Sequence, residues 1–252
     1  MIHFVGAGCG APDLITVRGQ NLIQSADVII YAGSLVNPEL LHSAKSGCEI
    51  YNSAYMTLEE VISVMQKAEQ QKKTTVRLHT GDPSVYGAIR EQMDVLNALH
   101  IAYDICPGVS SFCGAAASLK TEYTLPEVSQ TVILTRMAGR TPVPERESIA
   151  SLAVHHATMI IFLSTGMLKE LSVQLIQGGY APDTPAAIVY KASWNDEKIC
   201  RCTVADLAET ADKNHITKTA LITVGDFLGE DYALSKLYDS HFETEFRKAV
   251  SE

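Results

Sequence analysis

The amino-acid sequence predicts an α/β fold: two α/β domains with mostly parallel or mixed sheets, and an active site in the cleft between them. Two observations support this fold. In the first half of the 252-residue chain, short apolar runs alternate with segments whose apolar residues recur at helical spacing. A second alternating set follows a break at Leu125-Pro126-Glu127. We therefore expect an N-terminal domain over residues 1–125 and a C-terminal domain over residues 126–252.

The predicted elements of the first half have local causes. The helix over Leu58–Gln71 is amphipathic, because its apolar residues recur every three or four positions. Another helix is expected to begin at Asp82-Pro83, since Asp accepts a backbone N–H at a helix start and Pro has none to lose there. The predicted strands are Ile2–Val5, Asp27–Tyr31, Cys48–Tyr51 and Thr75–Leu78, and the predicted helices are Arg18–Ser25, Leu58–Gln71 and Pro83–Leu99. In the second half, strands are expected over Gln130–Leu134, Thr158–Leu163, Ala186–Lys191, Ile199–Val204 and Thr219–Val224.

A glycine-rich turn follows the first predicted strand, with Gly6, Gly8 and Gly10 in close succession. Such turns let the backbone approach a nucleotide closely. A P-loop is excluded, because no Gly-Lys-Ser/Thr ends the turn. A dinucleotide-binding turn fits the letters Gly6, Gly8 and Ala11, but the acid of the second strand, Asp27, stands at its start instead of its end. An NAD(P)-dependent oxidoreductase is therefore the alternative from a different functional class.

Four strings in the first half occur in the order typical of a known family. They are Val5-Gly-Ala-Gly-Cys-Gly-Ala-Pro-Asp-Leu-Ile-Thr-Val-Arg-Gly19, Asp27-Val-Ile-Ile-Tyr-Ala-Gly-Ser34, Thr80-Gly-Asp-Pro-Ser-Val-Tyr-Gly87 and Cys106-Pro-Gly-Val-Ser-Ser111. Together they resemble the tetrapyrrole methylases, S-adenosylmethionine-dependent enzymes that methylate corrinoid and sirohaem precursors. The chain departs from the family pattern at Cys9, where many members carry proline, and Cys9 is expected to preserve the backbone turn.

Within this family, Tyr31-Ala-Gly-Ser-Leu-Val36 and Thr135-Arg-Met-Ala-Gly-Arg-Thr-Pro-Val-Pro144 are similar to the C11-methyltransferases of precorrin-4. The resemblance implies a C-methyltransferase that acts on C11 of precorrin-4 or cobalt-precorrin-4 in corrin ring (cobalamin) biosynthesis. It leaves open whether the macrocycle already carries cobalt, and methylation at another corrin carbon is the alternative within the family. It also implies a homodimer that acts on a small-molecule tetrapyrrole.

The resemblance further implies which residues contact the cofactor, S-adenosylmethionine, and its product S-adenosylhomocysteine. Most are small or present backbone groups, and the last three come from the second domain: Cys9, Thr80, Gly81, Asp82, Val85, Ser110, Ser111, Thr165, Ala192 and Ala220. The substrate candidates are Arg136, Met137 and Arg140, because the stretch between Glu127 and Glu145 holds two arginines and no acid. Methyl transfer from a sulfonium requires no metal and no nucleophilic triad. Asp82 and Tyr86 are the candidates for a base, and no catalytic residue is assigned.

Composition sets further limits on function. The formal net charge of −9 argues against nucleic-acid binding, which needs clustered Lys and Arg. The same charge repels a substrate with many carboxylates, so either local basic groups or backbone donors must recognise it. No apolar run reaches the length of about 18 to 20 residues that a membrane helix needs, and no signal-peptide pattern opens the chain, so a cytoplasmic protein is expected. The six cysteines form no Cys-x-x-Cys pair, and no metal site is expected.

Overall fold

The computed structural model describes residues 1–33 and 35–249. Ser34, the last residue of one family-like string, and residues 250–252 of the predicted C-terminal domain lie outside the described residues. The chain divides into two compact units. Unit 1 comprises residues 1–118 and 190–198, and unit 2 comprises residues 119–189 and the described residues from 199 to 249. The predicted boundary after residue 125 assumed two continuous stretches, whereas unit 1 takes in a second, short stretch.

Unit 1 is built on a five-stranded sheet. Its strands are β1 (Ile2–Gly6), β2 (Val28–Tyr31), β3 (Glu49–Asn52), β4 (Thr75–His79) and β5 (Tyr103–Cys106), and its helices are α1 (Val17–Ser25), α2 (Leu58–Gln70), α3 (Arg90–Ala98) and α4 (Ser111–Leu119). The strand order is β3-β2-β4-β1-β5, and each neighbouring pair is parallel. Helices lie between most of the strands along the chain, so this unit has the predicted α/β architecture.

Apolar side chains cover both faces of this sheet. Strand residues alternate between faces, so Phe4 packs with residues of α2 and α3, whereas its neighbour Val5 packs with residues of α1. Helix α2 begins where Thr57 and Glu60 exchange side-chain-to-backbone hydrogen bonds. Burying one large apolar side chain contributes about 1.5 to 3 kcal/mol. The two apolar layers therefore fix the strands, and with them the loops at the strand ends.

The central strand β4 carries polar residues that are nevertheless buried. Arg77 is 7% exposed and donates hydrogen bonds to Gln92 Oε1 at 3.1 Å and to the Ile30 carbonyl at 3.2 Å. Burial lowers the pKa of Arg77 to about 10, which leaves it charged near neutral pH. Among the described residues, Thr75 Oγ1 and His79 Nε2 are buried without a hydrogen-bond partner. Burial, and then the charge of Arg77, lower the pKa of His79 to about 3, so its ring is neutral.

The expected helix over Pro83–Leu99 is wrong in its first half. Tyr86 and Ala88 have left-handed backbone conformations, with φ of 56° and 49°, and an α-helix cannot run through such residues. The helix begins at Arg90 instead. Residues 83–89 form a turn-rich connection, in which Tyr86 is 45% exposed.

Unit 2 is built on a second five-stranded sheet. Its strands are β6 (Val132–Arg136), β7 (Thr158–Phe162), β8 (Pro185–Tyr190), β9 (Lys198–Thr203) and β10 (Ala220–Val224), and its helices are α5 (Ile149–Ala153), α6 (Leu168–Gln177) and α7 (Leu207–Lys213). The strand order is β6-β7-β10-β8-β9; β6 is parallel to β7, and β10 runs antiparallel to β7. One sheet is thus parallel and the other mixed, which confirms the predicted fold class.

The connection between β8 and β9 groups with unit 1, although most of both strands belongs to unit 2. It covers residues 190–198, which we call the strap. Ser193 and Trp194 of the strap touch the glycine-rich turn after β1.

Candidate functional site

Three loops lie at the carboxyl ends of neighbouring parallel strands in unit 1. They follow β1, β4 and β5, and they contain the glycine-rich turn, residues 80–82 and residues 107–110. This edge of an open parallel sheet is where such folds bind ligands. The main chain joins the first two loops: the Ala7 N–H donates to the His79 carbonyl at 2.7 Å, and Gly8 and Gly81 exchange two hydrogen bonds of 3.3 and 2.8 Å. We call this group of loops the carboxyl edge.

Gly6, Gly81 and Gly108 bring the three backbones of the carboxyl edge together. A β-carbon at Gly6 would lie 2.5 Å from the Cα of Gly108 and 2.6 Å from the carbonyl oxygen of Gly81. A β-carbon at Gly108 would overlap the same oxygen and would lie 2.7 Å from the Cα of Gly6. Glycine is therefore needed at both positions, because any side chain would push the loops apart. The three loops are consequently held in direct backbone contact at this edge.

Asp82 ties the loop after β4 to the loop after β5. Its Oδ2 accepts the Gly108 N–H at 2.8 Å, and its Oδ1 accepts the Ser84 N–H at 2.8 Å as well as the Ser84 hydroxyl. Burial raises the pKa of Asp82, but the hydrogen bonds from Ser84 and Gly108 outweigh it, and the pKa lies below its ordinary value. The ionised carboxylate thus organises the loops, whereas a general base working near neutral pH needs a raised pKa.

Small side chains line the same edge. Ser110 is buried directly before α4, and a β-carbon at Gly81 would lie 3.4 Å from its Cα. Cys9 packs on α4 at Gly114, where a β-carbon would lie 2.8 Å from the Cβ of Cys9 and 3.5 Å from the Cβ of Ala192. The structure therefore places Cys9, Gly81, Ser110 and Ala192 of the predicted cofactor residues along this edge. Ala192 was expected in the second domain, but the strap places it in unit 1.

Other predicted residues lie in unit 2. The Thr165 hydroxyl donates to the Ala220 carbonyl at 3.1 Å, so these two predicted cofactor residues are neighbours. Met137, which follows β6, is 2% exposed. Its N–H donates to the hydroxyl of the buried Ser164 at 2.9 Å, and that hydroxyl donates in turn to the Phe162 carbonyl at 2.7 Å.

The two arginines of the acid-free stretch have different surroundings. The Arg136 guanidinium donates to the carbonyls of Met137, Thr141 and Pro142 at 3.1, 3.2 and 2.9 Å. These bonds fold the loop after β6 back on its own strand. Arg140 is exposed on that loop. Arg136 therefore shapes the loop, while Arg140 presents its charge to solvent.

Comparison with known proteins identifies the family. Residues 1–208 match the sequence model described as Tetrapyrrole (Corrin/Porphyrin) Methylases. The chain belongs to this family. The carboxyl edge and the family-like strings therefore lie within the matched part of a tetrapyrrole methylase, and the predicted resemblance is confirmed.

Individual relatives are similar along nearly the whole chain. A cobalt-precorrin-4 C(11)-methyltransferase of Methanocaldococcus jannaschii is 59% identical over 249 residues, which cover 98% of this chain and 96% of the relative. A precorrin-4 C(11)-methyltransferase of Mycobacterium tuberculosis is 44% identical, with 94% of this chain and 95% of the relative covered. The X-ray structure of a cobalt precorrin-4 methyltransferase, a cobalamin biosynthetic enzyme, superposes with a TM-score of 0.89 at 47% identity and covers 91% of this chain and 96% of that chain.

The described part of the chain contains neither a metal-binding cluster nor a membrane-spanning helix. No group of three His, Cys, Asp or Glu side chains there is placed to hold a metal ion. Each described helix also falls short of the length and apolarity that a membrane span requires.

Sequence reasoning missed several residues that contact the glycine-rich turn. The Asn37 side chain donates to the Gly10 carbonyl at 3.0 Å, and the Ser193 hydroxyl accepts the Ala11 N–H at 3.0 Å. The Trp194 ring lies against Gly10, where a β-carbon would be 2.5 Å from its Nε1. One signal was present in the sequence, since Trp194 is the only tryptophan of the chain and stands in a predicted loop.

Proposed function

We propose that this chain transfers a methyl group from S-adenosylmethionine to C11 of cobalt-precorrin-4 during corrin ring assembly. The observation that carries the proposal is the 59% identity, along nearly the full length, to the cobalt-precorrin-4 C(11)-methyltransferase of M. jannaschii. The relatives named for the cobalt-containing substrate share 59% and 47% identity, against 44% for the M. tuberculosis relative named for precorrin-4. This ranking favours a substrate that already carries cobalt.

The carboxyl edge fits the cofactor. S-adenosylmethionine carries an amino-acid group and a nucleoside, and a turn with glycine at positions 6, 8 and 10 lets such a ligand lie close to the main chain. The cofactor supplies a methyl group that is already activated on a sulfonium, so the protein's task is to hold and orient it. The proposed contacts are Cys9, Thr80, Gly81, Asp82, Val85, Ser110, Ser111 and Ala192 of unit 1 and Thr165 and Ala220 of unit 2.

The proposed catalytic contribution of this chain is positioning. Asp82 is ionised and bonded to Ser84 and Gly108, so we assign it to loop geometry and not to proton removal. Tyr86 remains the candidate for a base. It is 45% exposed and has a left-handed backbone, a strained conformation of the kind that active sites contain.

The substrate's carboxylates are proposed to meet the loop after β6. The chain carries a formal net charge of −9, so a polyanion is held only where local cations offset the repulsion. Arg140 is exposed, and Arg136 folds the loop through three carbonyl groups. We therefore propose Arg140 as a direct contact of the substrate, Arg136 as a contact that also holds the loop, and Met137 as part of the loop's buried base.

Methyl transfer with labelled S-adenosylmethionine tests the proposal. The protein is incubated separately with cobalt-precorrin-4 and with metal-free precorrin-4, and the labelled carbon is mapped by NMR. We expect label at C11, with the cobalt-containing substrate turned over faster. Label at another carbon would establish a different reaction of the same family. Tight binding of NAD(H) without binding of S-adenosylhomocysteine, measured by calorimetry, would favour the oxidoreductase instead.

We further propose that the protein works as a homodimer in the cytoplasm. The family resemblance supports the dimer, and so do large apolar side chains exposed near the C-terminus: Leu234, Tyr238 and Phe246 are 81%, 87% and 91% exposed. Light scattering at micromolar concentration should give twice the chain mass of 27.4 kDa. A mass equal to one chain would contradict the dimer.

A further inference from the structure

The strap packs on the glycine-rich turn through side chains that no motif of the sequence singled out. Residues 190–198 connect two strands of the unit 2 sheet, yet they group with unit 1. Lys191 and Ser193 have left-handed backbones, with φ of 48° and 66°. Such conformations are strained, and they persist where surrounding contacts enforce them.

Glu197 holds the strap in this strained shape. Its Oε2 accepts the Ser193 N–H at 2.5 Å and the Ser118 hydroxyl at 2.6 Å. Ser118 lies on α4, and its hydroxyl oxygen also lies 3.0 Å from the Gly114 carbonyl oxygen. One carboxylate oxygen therefore links the strap to the helix that follows the loop after β5. Bonds to a charged acceptor are about twice as strong as neutral ones.

Ser193 connects the strap to the glycine-rich turn. Its hydroxyl accepts the Ala11 N–H at 3.0 Å and lies 3.5 Å from the sulfur of Cys9. Without that hydroxyl, the Ala11 N–H would lose its partner in a partly buried place. A continuous chain of contacts thus runs from Ser118 through Glu197 and Ser193 to Ala11.

Trp194 covers Gly10, the residue of the turn that precedes Ala11. Its ring lies against Gly10, and the Lys191 ammonium sits 5.1 Å from the ring centroid while pairing with Asp196 at 2.6 Å. A cation placed in this way holds an aromatic ring through its quadrupole. The ring therefore has a defined position against the turn.

We propose that the strap is a positioning element of the cofactor site: Glu197 fixes Ser193, Ser193 fixes the Ala11 amide, and Trp194 covers Gly10, so that the glycine-rich turn is held ready for the cofactor. The inference rests on the proposed function. It assigns no chemistry to these residues, because they act through the turn. Their loss should therefore weaken cofactor binding more than it slows the methyl-transfer step.

Three variants and one control test the strap. Glu197→Ala breaks both bonds of the carboxylate, Glu197→Gln retains an oxygen in its place, and Ser193→Ala removes the hydroxyl without relieving the backbone. Thr57→Ala removes the cap of α2 and lowers stability without touching the strap. We expect Ser193→Ala and Glu197→Ala to weaken S-adenosylhomocysteine binding by about three- to tenfold. Glu197→Gln should retain most of the wild-type affinity for S-adenosylhomocysteine. Thr57→Ala should lower Tm without changing that affinity.

Two readouts separate this inference from the proposed function. Calorimetry gives the affinity for S-adenosylhomocysteine, and steady-state kinetics give KM for S-adenosylmethionine against kcat. Because the chain has one tryptophan, the emission of Trp194 should also change when the wild-type protein binds S-adenosylhomocysteine.

If the wild type fails to bind S-adenosylhomocysteine, the proposed function is overturned. If the wild type binds it while Ser193→Ala and Glu197→Ala bind equally well, the strap has no positioning role. If Glu197→Ala does not fold, Ser193→Ala decides.

Discussion

At the carboxyl edge of unit 1, close contacts between glycine backbones set the spacing of the loops, whereas at the ends of β6 and β7 in unit 2, side-chain hydrogen bonds to the backbone hold the loop in place. The first region is fixed by contacts such as those among Gly6, Gly81 and Gly108. The second depends on Arg136 and Ser164, whose side chains tie down the loop after β6. A backbone-built site tolerates no added atoms, while a site built by side chains is weakened by removing them.

The largest expected effect lies in the first region. Gly108→Ala should lower the free energy of unfolding by at least about 3 kcal/mol, because the new β-carbon would overlap two backbones that cannot move independently. Urea denaturation followed by circular dichroism measures the loss. Gly166→Ala in unit 2 is the matched control, since a β-carbon there would have no neighbour within 4 Å. Equal losses in the two variants would show that the crowding at Gly108 is relieved at little cost.

The two regions also differ in how their buried polar side chains are hydrogen-bonded, and this difference predicts how stability depends on pH. In the second region the Ser164 hydroxyl has partners, whereas in the first the His79 Nε2, at the end of β4, has none among the described residues. The pKa of His79 is lowered to about 3, against an ordinary value of 6.5, so the unfolded chain takes up the proton first as the pH falls. The free energy of unfolding should therefore be constant above pH 6.5 as far as His79 is concerned, and should fall by roughly 2 to 3 kcal/mol between pH 6.5 and pH 4.5.

The His79→Gln variant should lose most of this acid sensitivity, because its side chain does not titrate. His155→Gln, at an exposed position, is the control and should follow the wild type. Denaturation midpoints at pH 8 and pH 4.5 measure the effect. Parallel pH profiles for His79→Gln and the wild type would assign the acid loss to other groups.

A smaller effect separates crowding from backbone strain within the first region. Gly8 and Gly47 both have φ of 81°. A β-carbon at Gly8 would lie 2.7 Å from the Leu14 carbonyl oxygen, whereas a β-carbon at Gly47 would have no neighbouring atom within 4 Å. Gly8→Ala should therefore cost about 1 to 2 kcal/mol more than Gly47→Ala. It should also weaken S-adenosylhomocysteine binding, which Gly47→Ala should leave unchanged. Identical effects on both measurements would mean that strain alone matters at Gly8.

The smallest expected effect lies in the second region. Arg140→Ala should weaken tetrapyrrole binding only about two- to fivefold, because exposed charges contribute about 0.2 to 1 kcal/mol, and the difference should shrink at high salt. Arg146→Ala, in the same exposed segment, is the control. Spectroscopic titration with the substrate, with calorimetry of S-adenosylhomocysteine alongside, measures both affinities. Unchanged substrate binding at low salt would contradict a direct contact at Arg140.

Much of the first region could be predicted from the sequence. The alternation of apolar runs and amphipathic segments indicated the parallel sheet, and the spacing of Gly6, Gly8 and Gly10 indicated a turn that approaches a ligand. The ordered strings indicated the family, which the match over residues 1–208 confirms. The assignment of individual cofactor and substrate residues stays a prediction, to be tested by the variants above.

Other features were decided by tertiary structure. Strand β5 was not predicted, because Asp104 and Ile105 are exposed at the sheet edge and give no buried apolar pattern. The helix expected at Pro83 begins only at Arg90, since a helix-start motif does not reveal the left-handed turn that follows it. The strap joins unit 1 through contacts between residues more than 180 positions apart, such as Ala11 and Ser193. The sequence determined local periodicity and turn chemistry, because these depend on neighbours along the chain. The tertiary structure decided which distant segments meet, because that depends on how the whole chain packs.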